Sequence, residues 1–185
     1  HILTQPRGNG YWLWKPYFIK KTLDSIEYGD YLIYADSGAC YINNINILIQ
    51  KLEKNKNDIM CFELDYPEKK YTKRDAFILM DCDTKKYTDS KQILATVIVL
   101  KKSETTVKII SDWLKYAQDY RIITDAENEC GKPNYNIFVE NRHDQTVFSL
   151  ICKKYNCKTY PDPSIQNEEY SQLFWFHRYY WCSNL

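Results

Sequence analysis

Along this chain, short runs of apolar residues alternate with stretches in which the apolar positions recur at helical spacing. From Tyr11 to Ile26 the spacing predicts a helix, with Pro16 at its start or at a kink in it. After the turn Glu27-Tyr28-Gly29-Asp30 comes YLIYAD, a nearly continuous apolar run that suits a buried strand of a parallel sheet. Asp36 then stands at the C-terminal end of that strand, where open α/β sheets place their ligands. Residues 43–53 (NNINILIQKLE) read as an amphipathic helix, followed by a polar linker over 54–58 and a second strand at IMCFEL. Thr72 to Met80 predicts a short helix and Gln92 to Leu100 (QILATVIVL) a third strand. Glu104 to Tyr120 predicts a long helix with Ile109, Ile110, Trp113, Leu114 and Ala117 along one side. Asp144 to Tyr155 reads as another helix, and Phe174 to Trp181 as an aromatic late strand or flap. The alternation predicts an α/β domain, with no internal repeat and no low-complexity segment.

Composition narrows this picture. A chain of 185 residues is long enough for one domain with a real core, so a single domain over 1–185 is expected. With 25 Lys+Arg against 24 Asp+Glu, nothing points to nucleic acid or an anionic membrane as the main partner. The 17 tyrosines and 5 tryptophans fit either a compositional bias or a sugar-stacking surface. Seven cysteines at irregular spacing form no C-x-x-C pair, so neither a zinc site nor a disulfide framework is predicted. Their number and their place in apolar runs fit reduced thiols in the cytoplasm. No stretch approaches the ~20 apolar residues of a membrane span, and the start is not signal-like.

Four stretches carry candidate chemistry. In Arg7-Gly8-Asn9-Gly10-Tyr11-Trp12-Leu13-Trp14-Lys15-Pro16, glycines would let backbone N–H groups approach an anion that Arg7 and Lys15 neutralise. A turn followed by a core helix explains the same residues. In Tyr34-Ala35-Asp36-Ser37-Gly38, a strand-end carboxylate followed by small residues suits a divalent metal held against a diphosphate, or simply a turn. In Asn141-Arg142-His143-Asp144-Gln145, Asp144 is placed to be an N-cap, a base for an acceptor hydroxyl, or a partner for sugar hydroxyls. In Phe174-Trp175-Phe176-His177-Arg178, His177 could complete a metal shell or be an ordinary hydrogen-bonded side chain. The literal D-x-D string Asp81-Cys82-Asp83 follows a helix-like segment and ranks below Asp36.

RGNGYWLWKPYFIKKTL followed by GDYLIYADSGA resembles a family of GT-A glycosyltransferases of bacteria and large DNA viruses. The family pattern is R-G-x-G-Y-W-x-W-K-P-Y, then G-D-x-x-x-Y-x-D-x-G, K-R-D and a late H-R-H-D-Q-S. KYTKRDAFILMDCD, QILATVIVLKKS, WLKYAQDYRIITD and NRHDQTVFSLICKKY follow in the same order, so the resemblance spans nearly the whole chain. It implies a Rossmann-like GT-A fold with a mixed central sheet flanked by helices, and transfer of a sugar from a nucleotide-diphosphate donor, UDP-linked by expectation. The acceptor hydroxyl would belong to a glycan, lipid or protein. By position, Asp36 matches the first Asp of a metal-binding D-x-D, with Ser37 and Gly38 completing the motif and Gly38 standing where the last Asp would be. The implied cofactor is Mn2+ or Mg2+, held by Asp36 and His177.

The resemblance also places Arg7, Gly8, Gly10, Trp14 and Lys15 near the diphosphate, and Asp144, with His143 and Gln145, at the donor–acceptor junction. It further implies that Lys73, Arg74 and Asp75 contact donor or acceptor. Asn141 replaces the pattern's first histidine and carries no such role. A GT-A domain opens with a strand and helix that build the base pocket, and here the basic motif arrives seven residues in, so that first strand and helix are expected to be missing from the chain. Two other readings stay open: a hydrolase using Asp36 and Asp144 as paired carboxylates, and a degenerate transferase fold that binds a saccharide or a protein.

Overall fold

The computed structural model describes residues 2–176, so His177 lies outside the described residues. The chain opens with a short turn of 3-10 helix (Ile2–Thr4) and a tight helical turn, α1 (Gly8–Tyr11). Helix α2 (Trp14–Ser25) follows, with Pro16 in its first turn, where a missing N–H costs no hydrogen bond. Next come β1 (Tyr31–Ala35), β2 (Ala39–Tyr41), α3 (Asn46–Lys54), β3 (Ile59–Pro67), α4 (Arg74–Leu79) and α5 (Lys85–Thr88). The second half runs β4 (Lys91–Ile93), β5 (Val97–Lys101), α6 (Glu104–Ala117), α7 (Tyr120–Ile123), α8 (His143–Lys154), β6 (Thr159–Tyr160) and β7 (Phe174–Phe176). Helix α6 begins at a reciprocal cap: the Ser103 hydroxyl accepts from the Thr106 N–H, while Thr106 Oγ1 accepts from the Ser103 N–H.

β1 pairs antiparallel with β5 from Tyr31↔Lys101 to Ala35↔Val97. β5 and β4 both run antiparallel to β3, one along its beginning and one along its end. β6 lies parallel to β3, with Cys61 opposite Thr159. β2 and β7 form a separate antiparallel pair. The protein is thus mixed α/β, with a largely antiparallel sheet of five strands.

Side-chain alternation along β3 and β5 divides the core between the two faces of this sheet. Ile59, Cys61, Ile98 and Leu100 point into one cluster with Ile19 and Leu23 of α2, Trp113 of α6 and Phe148 and Ile151 of α8. Met60, Phe62, Val97 and Val99 point into the other, beneath Leu48 and Leu52 of α3.

Two expectations are corrected. YLIYAD is a strand, but of an antiparallel pair; its unbroken apolar run reports coverage of both sheet faces and carries no information about strand direction. QILATVIVL is two strands: the Leu94 N–H still donates to the Phe62 carbonyl of β3 and the Thr96 carbonyl still accepts from the Asp36 N–H beyond β1, but between them the Ala95 N–H leaves the sheet for Gln145 Oε1. Among the described residues, no helix is long and apolar enough to cross a membrane.

Candidate functional site

The break between β4 and β5, the end of β1, the start of α2 and the start of α8 meet at one cleft of about 480 Å³. It is lined by Arg7, Trp12, Lys15, Asp36, Thr96 and residues 140–145. At its floor, Lys15 Nζ lies 3.1 Å from Asp36 Oδ1 and 2.8 Å from Asp144 Oδ2, with the Ala95 carbonyl accepting at 3.4 Å. The Lys15 and Asp144 side chains are only 4% and 6% exposed, whereas Asp36 is 35% exposed and forms the open end of the triad. The Tyr34 hydroxyl donates to Asp36 Oδ1 at 2.6 Å, as expected for residues two apart on one strand face. Asp36 Oδ2 accepts from none of the described residues.

Burial alone would pull the Lys15 ammonium down, but Asp144 and then Asp36 together outweigh it and hold it above its ordinary value. Burial also lifts the Asp144 carboxyl above the usual carboxylate range, opposed by Lys15. The Tyr34 phenol is pushed up by burial and by its bond to Asp36, so it remains a donor at neutral pH.

The approach to Lys15 is a left-handed turn. Gly8, Asn9, Gly10, Tyr11 and Trp12 all have positive φ, from 48° to 91°. A Cβ on Gly8 would lie 2.4 Å from the Trp12 ring, and one on Gly10 would lie 2.7 Å from Leu3 Cα, so both glycines serve close packing as well as φ. The Gly8 carbonyl accepts from Trp14 Nε1 at 3.0 Å, which gives Trp14 a role in holding the turn rather than lining the cleft. Tyr11 and Trp12 flank the His143 ring at centroid distances of 4.8 and 5.4 Å.

His143 itself has φ 50° at the start of α8. Its Nδ1 lies 2.8 Å from the Ile123 carbonyl and must be the protonated nitrogen, since a carbonyl only accepts. Nε2 is buried without a hydrogen-bond partner, 3.8 Å from Asp125 Oδ1. Burial pulls the imidazole below its ordinary value, partly offset by its backbone partner and Asp125.

Asp144 lies in the first turn of α8 but is not its cap, which is Arg142. Its carboxylate serves Lys15 while its carbonyl accepts from Trp113 Nε1 at 2.9 Å. Gln145 lines the cleft with its amide already committed to the Ala95 N–H and Gln92. Arg7 sits at the rim, bound to Asp125 at 3.1 Å and Glu140 at 3.0 Å. Arg142 stacks on Tyr71 at 4.0 Å and donates to the Tyr66 hydroxyl at 2.9 Å.

The structure therefore brings Arg7, Lys15, Asp36, His143, Asp144 and Gln145 together and leaves other predicted residues apart. Ser37 and Gly38 lie in the turn closed by the Ala39 N–H on the Asp36 carbonyl and do not line the cleft. Lys73, Arg74 and Asp75 are engaged by the irregular segment between α7 and α8. Lys73 Nζ donates to the Ala126 carbonyl, the Arg74 N–H to Asn134 Oδ1, and Asp75 accepts from the N–H groups of Glu129 and Cys130. Asp83 of the D-x-D string is a second clamp on that segment, holding Arg74, Lys132 and Tyr135.

Sequence reasoning passed over Trp12, Thr96, Glu140 and Arg142 as lining residues. Thr96, a polar residue inside QILATVIVL, was the one visible signal. A hollow of about 590 Å³ near Ile2, Leu3 and Leu13 is apolar and brings together no comparable set of charges. No protein family, curated protein or solved structure matches this chain.

Proposed function

We propose that this cleft binds the diphosphate and sugar of a nucleotide-sugar donor, UDP-linked by preference, and that the chain transfers the sugar to the hydroxyl of a glycan, lipid or protein. The observation that carries the reading is the Lys15 triad. Burying an ammonium between two carboxylates is a poor way to gain stability, because desolvation offsets the Coulombic attraction. Placing the triad at the base of a polar cleft makes sense if its exposed end, Asp36, meets a ligand. The strained backbone at Trp12 and His143 supports the same location, since such conformations concentrate at binding sites. The fold we associate with this activity is of the GT-A type, adapted to the largely antiparallel sheet.

The cleft carries three cations, Arg7, Lys15 and Arg142, against three carboxylates, Asp36, Glu140 and Asp144. A diphosphate would thus bring uncompensated negative charge. Arg7 can answer part of it by exchanging Asp125 and Glu140, because such exposed pairs are worth only ~0–1 kcal/mol.

The donor set at Asp36 is one carboxylate with a free oxygen, and Mg2+ sites commonly use one or two carboxylates together with substrate phosphates. Asp36 would hold Mn2+ or Mg2+ in that way, and the ion would offset charge on the departing diphosphate. The chain's own residues do the rest. Lys15 fixes Asp36 in place, Tyr34 donates to the same oxygen, and Trp12 offers an apolar face beside the polar wall. Asp144 is neutralised by Lys15 and nearly enclosed, so its role is to position Lys15 rather than to accept a proton from solvent-borne substrate. The same pairing disfavours a two-carboxylate hydrolase, in which both groups must be available to the sugar.

The test is calorimetric titration with UDP, GDP and several nucleotide sugars, with and without Mn2+, on the protein and on Asp36→Ala. We expect nucleotide binding that Mn2+ strengthens and that Asp36→Ala weakens at least tenfold, about 1.4 kcal/mol. Absence of binding to every nucleotide tried would overturn the proposal.

A further inference from the structure

Away from the cleft, three thiols separated by as many as 96 positions in sequence meet beneath the sheet. Cys61 is on β3, Cys152 is in the last turns of α8, and Cys157 follows the left-handed Asn156 (φ 51°) that turns the chain back toward β6. The parallel register of β3 and β6 sets Cys61 opposite Thr159, which draws Cys157, two residues earlier, alongside it. The Cys157 N–H also donates to the Cys152 carbonyl at 2.9 Å. All three sulfurs lie within 4.8 Å of one another, and no other set of at least three His, Cys, Asp or Glu ligand atoms is as compact among the described residues. Cys61 and Cys152 are fully buried, whereas Cys157 is only partly covered and gives the trio an open side.

We infer that Cys61, Cys152 and Cys157 form a three-thiolate site for a thiophilic divalent ion of the Zn2+ kind, entered from the Cys157 side. Zinc–sulfur bonds of about 2.3 Å set sulfurs about 3.8 Å apart in a tetrahedral shell, so a small inward movement of side chains completes the geometry. The fourth position falls to water on the open side. Binding releases one proton from each thiol to solvent. A divalent ion leaves the trio with a single net negative charge, where a monovalent ion would leave two, and burial penalises the larger residual charge.

The measurement is anaerobic titration of Co2+ into reduced, chelator-treated protein, followed by the thiolate-to-metal charge-transfer absorption. We expect saturation at one Co2+ per chain, bleaching by Zn2+, loss of the band in Cys157→Ser and its retention in Cys40→Ser, whose exposed thiol is outside the cluster. Because Co2+ held by carboxylates gives no thiolate band, the result is independent of the nucleotide cleft. Alkylation mapped by mass spectrometry on the unmutated chain provides a second readout that does not depend on a variant folding: Zn2+ should protect Cys157. The inference is overturned by a titration without the band, by a band that survives Cys157→Ser, or by unprotected Cys157. A disulfide among the three in the untreated protein, together with no metal binding after its reduction, overturns it equally.

Discussion

At the scale of single residues, Lys15 separates stability from function more cleanly than any other position. Removing the ammonium in Lys15→Met leaves two carboxylates facing each other, one of them almost enclosed, and should cost ~3–5 kcal/mol. Replacing Asp144 as well, in Lys15→Met/Asp144→Leu, exchanges the buried pair for apolar volume and should recover most of that loss. Urea unfolding of the two variants checks this, and nucleotide binding should be absent in both. Restored binding in the double variant would show the triad to be structural.

His143 gives a pH dependence of known sign. Its folded value lies below the unfolded one, so its contribution to stability is present above about pH 6.5 and is lost as pH falls from there toward the folded value. His143→Asn, with an amide able to donate to the Ile123 carbonyl, should therefore lose less stability than the parent chain between pH 7.5 and 5.5. Equal losses in the two proteins would remove His143 from the acid response.

At the scale of elements, hydrophobic rhythm was the dependable signal. Ser103→Ala removes the α6 cap and should lower stability by ~1 kcal/mol, measurable by thermal or urea unfolding; an unchanged midpoint would mean that the packing of Ile109, Ile110 and Trp113 alone sets the helix start. The run of apolar residues located α2, α6 and α8 to within a few positions, because α2 and α6 each bury one stripe against the same sheet face and α8 is buried all round from His143 to Cys152. Strand direction was not legible, since a strand covered on both faces reads alike in either orientation. The Leu94–Thr96 break was hidden for a related reason: the bond that interrupts the strand goes from the Ala95 N–H to Gln145, distant in sequence. At the site, Asp36 and Lys15 could be named from their motifs, but Lys15's role as bridge between Asp36 and Asp144 could not. The residue that the motif puts beside a phosphate lies between two carboxylates, 3.1 Å from Asp36 and 2.8 Å from Asp144.

At the scale of the whole molecule, the Lys73-Arg74-Asp75 motif acts on the cleft from a distance. It holds the irregular segment whose far end supplies Glu140, Asn141 and Arg142 to the cleft wall, and the Lys73 N–H itself donates to Asn141 Oδ1 at 3.4 Å. Asp75 is fully buried and accepts from two backbone N–H groups of that segment, at 2.6 and 3.1 Å. Asp75→Ala strands both donors, each at a cost of ~1–3 kcal/mol, and the segment can recover them only by moving toward water. Hydrogen exchange should accelerate across 126–141 while β3 and β5 stay protected, and nucleotide affinity should fall about tenfold through displacement of Arg142 and Glu140. Faster exchange with unchanged affinity would mean that the cleft wall is fixed from the α8 side alone, by the Arg142 stack on Tyr71. Uniformly faster exchange would instead make Asp75 part of the global core, and the motif would lose its separate connection to the site.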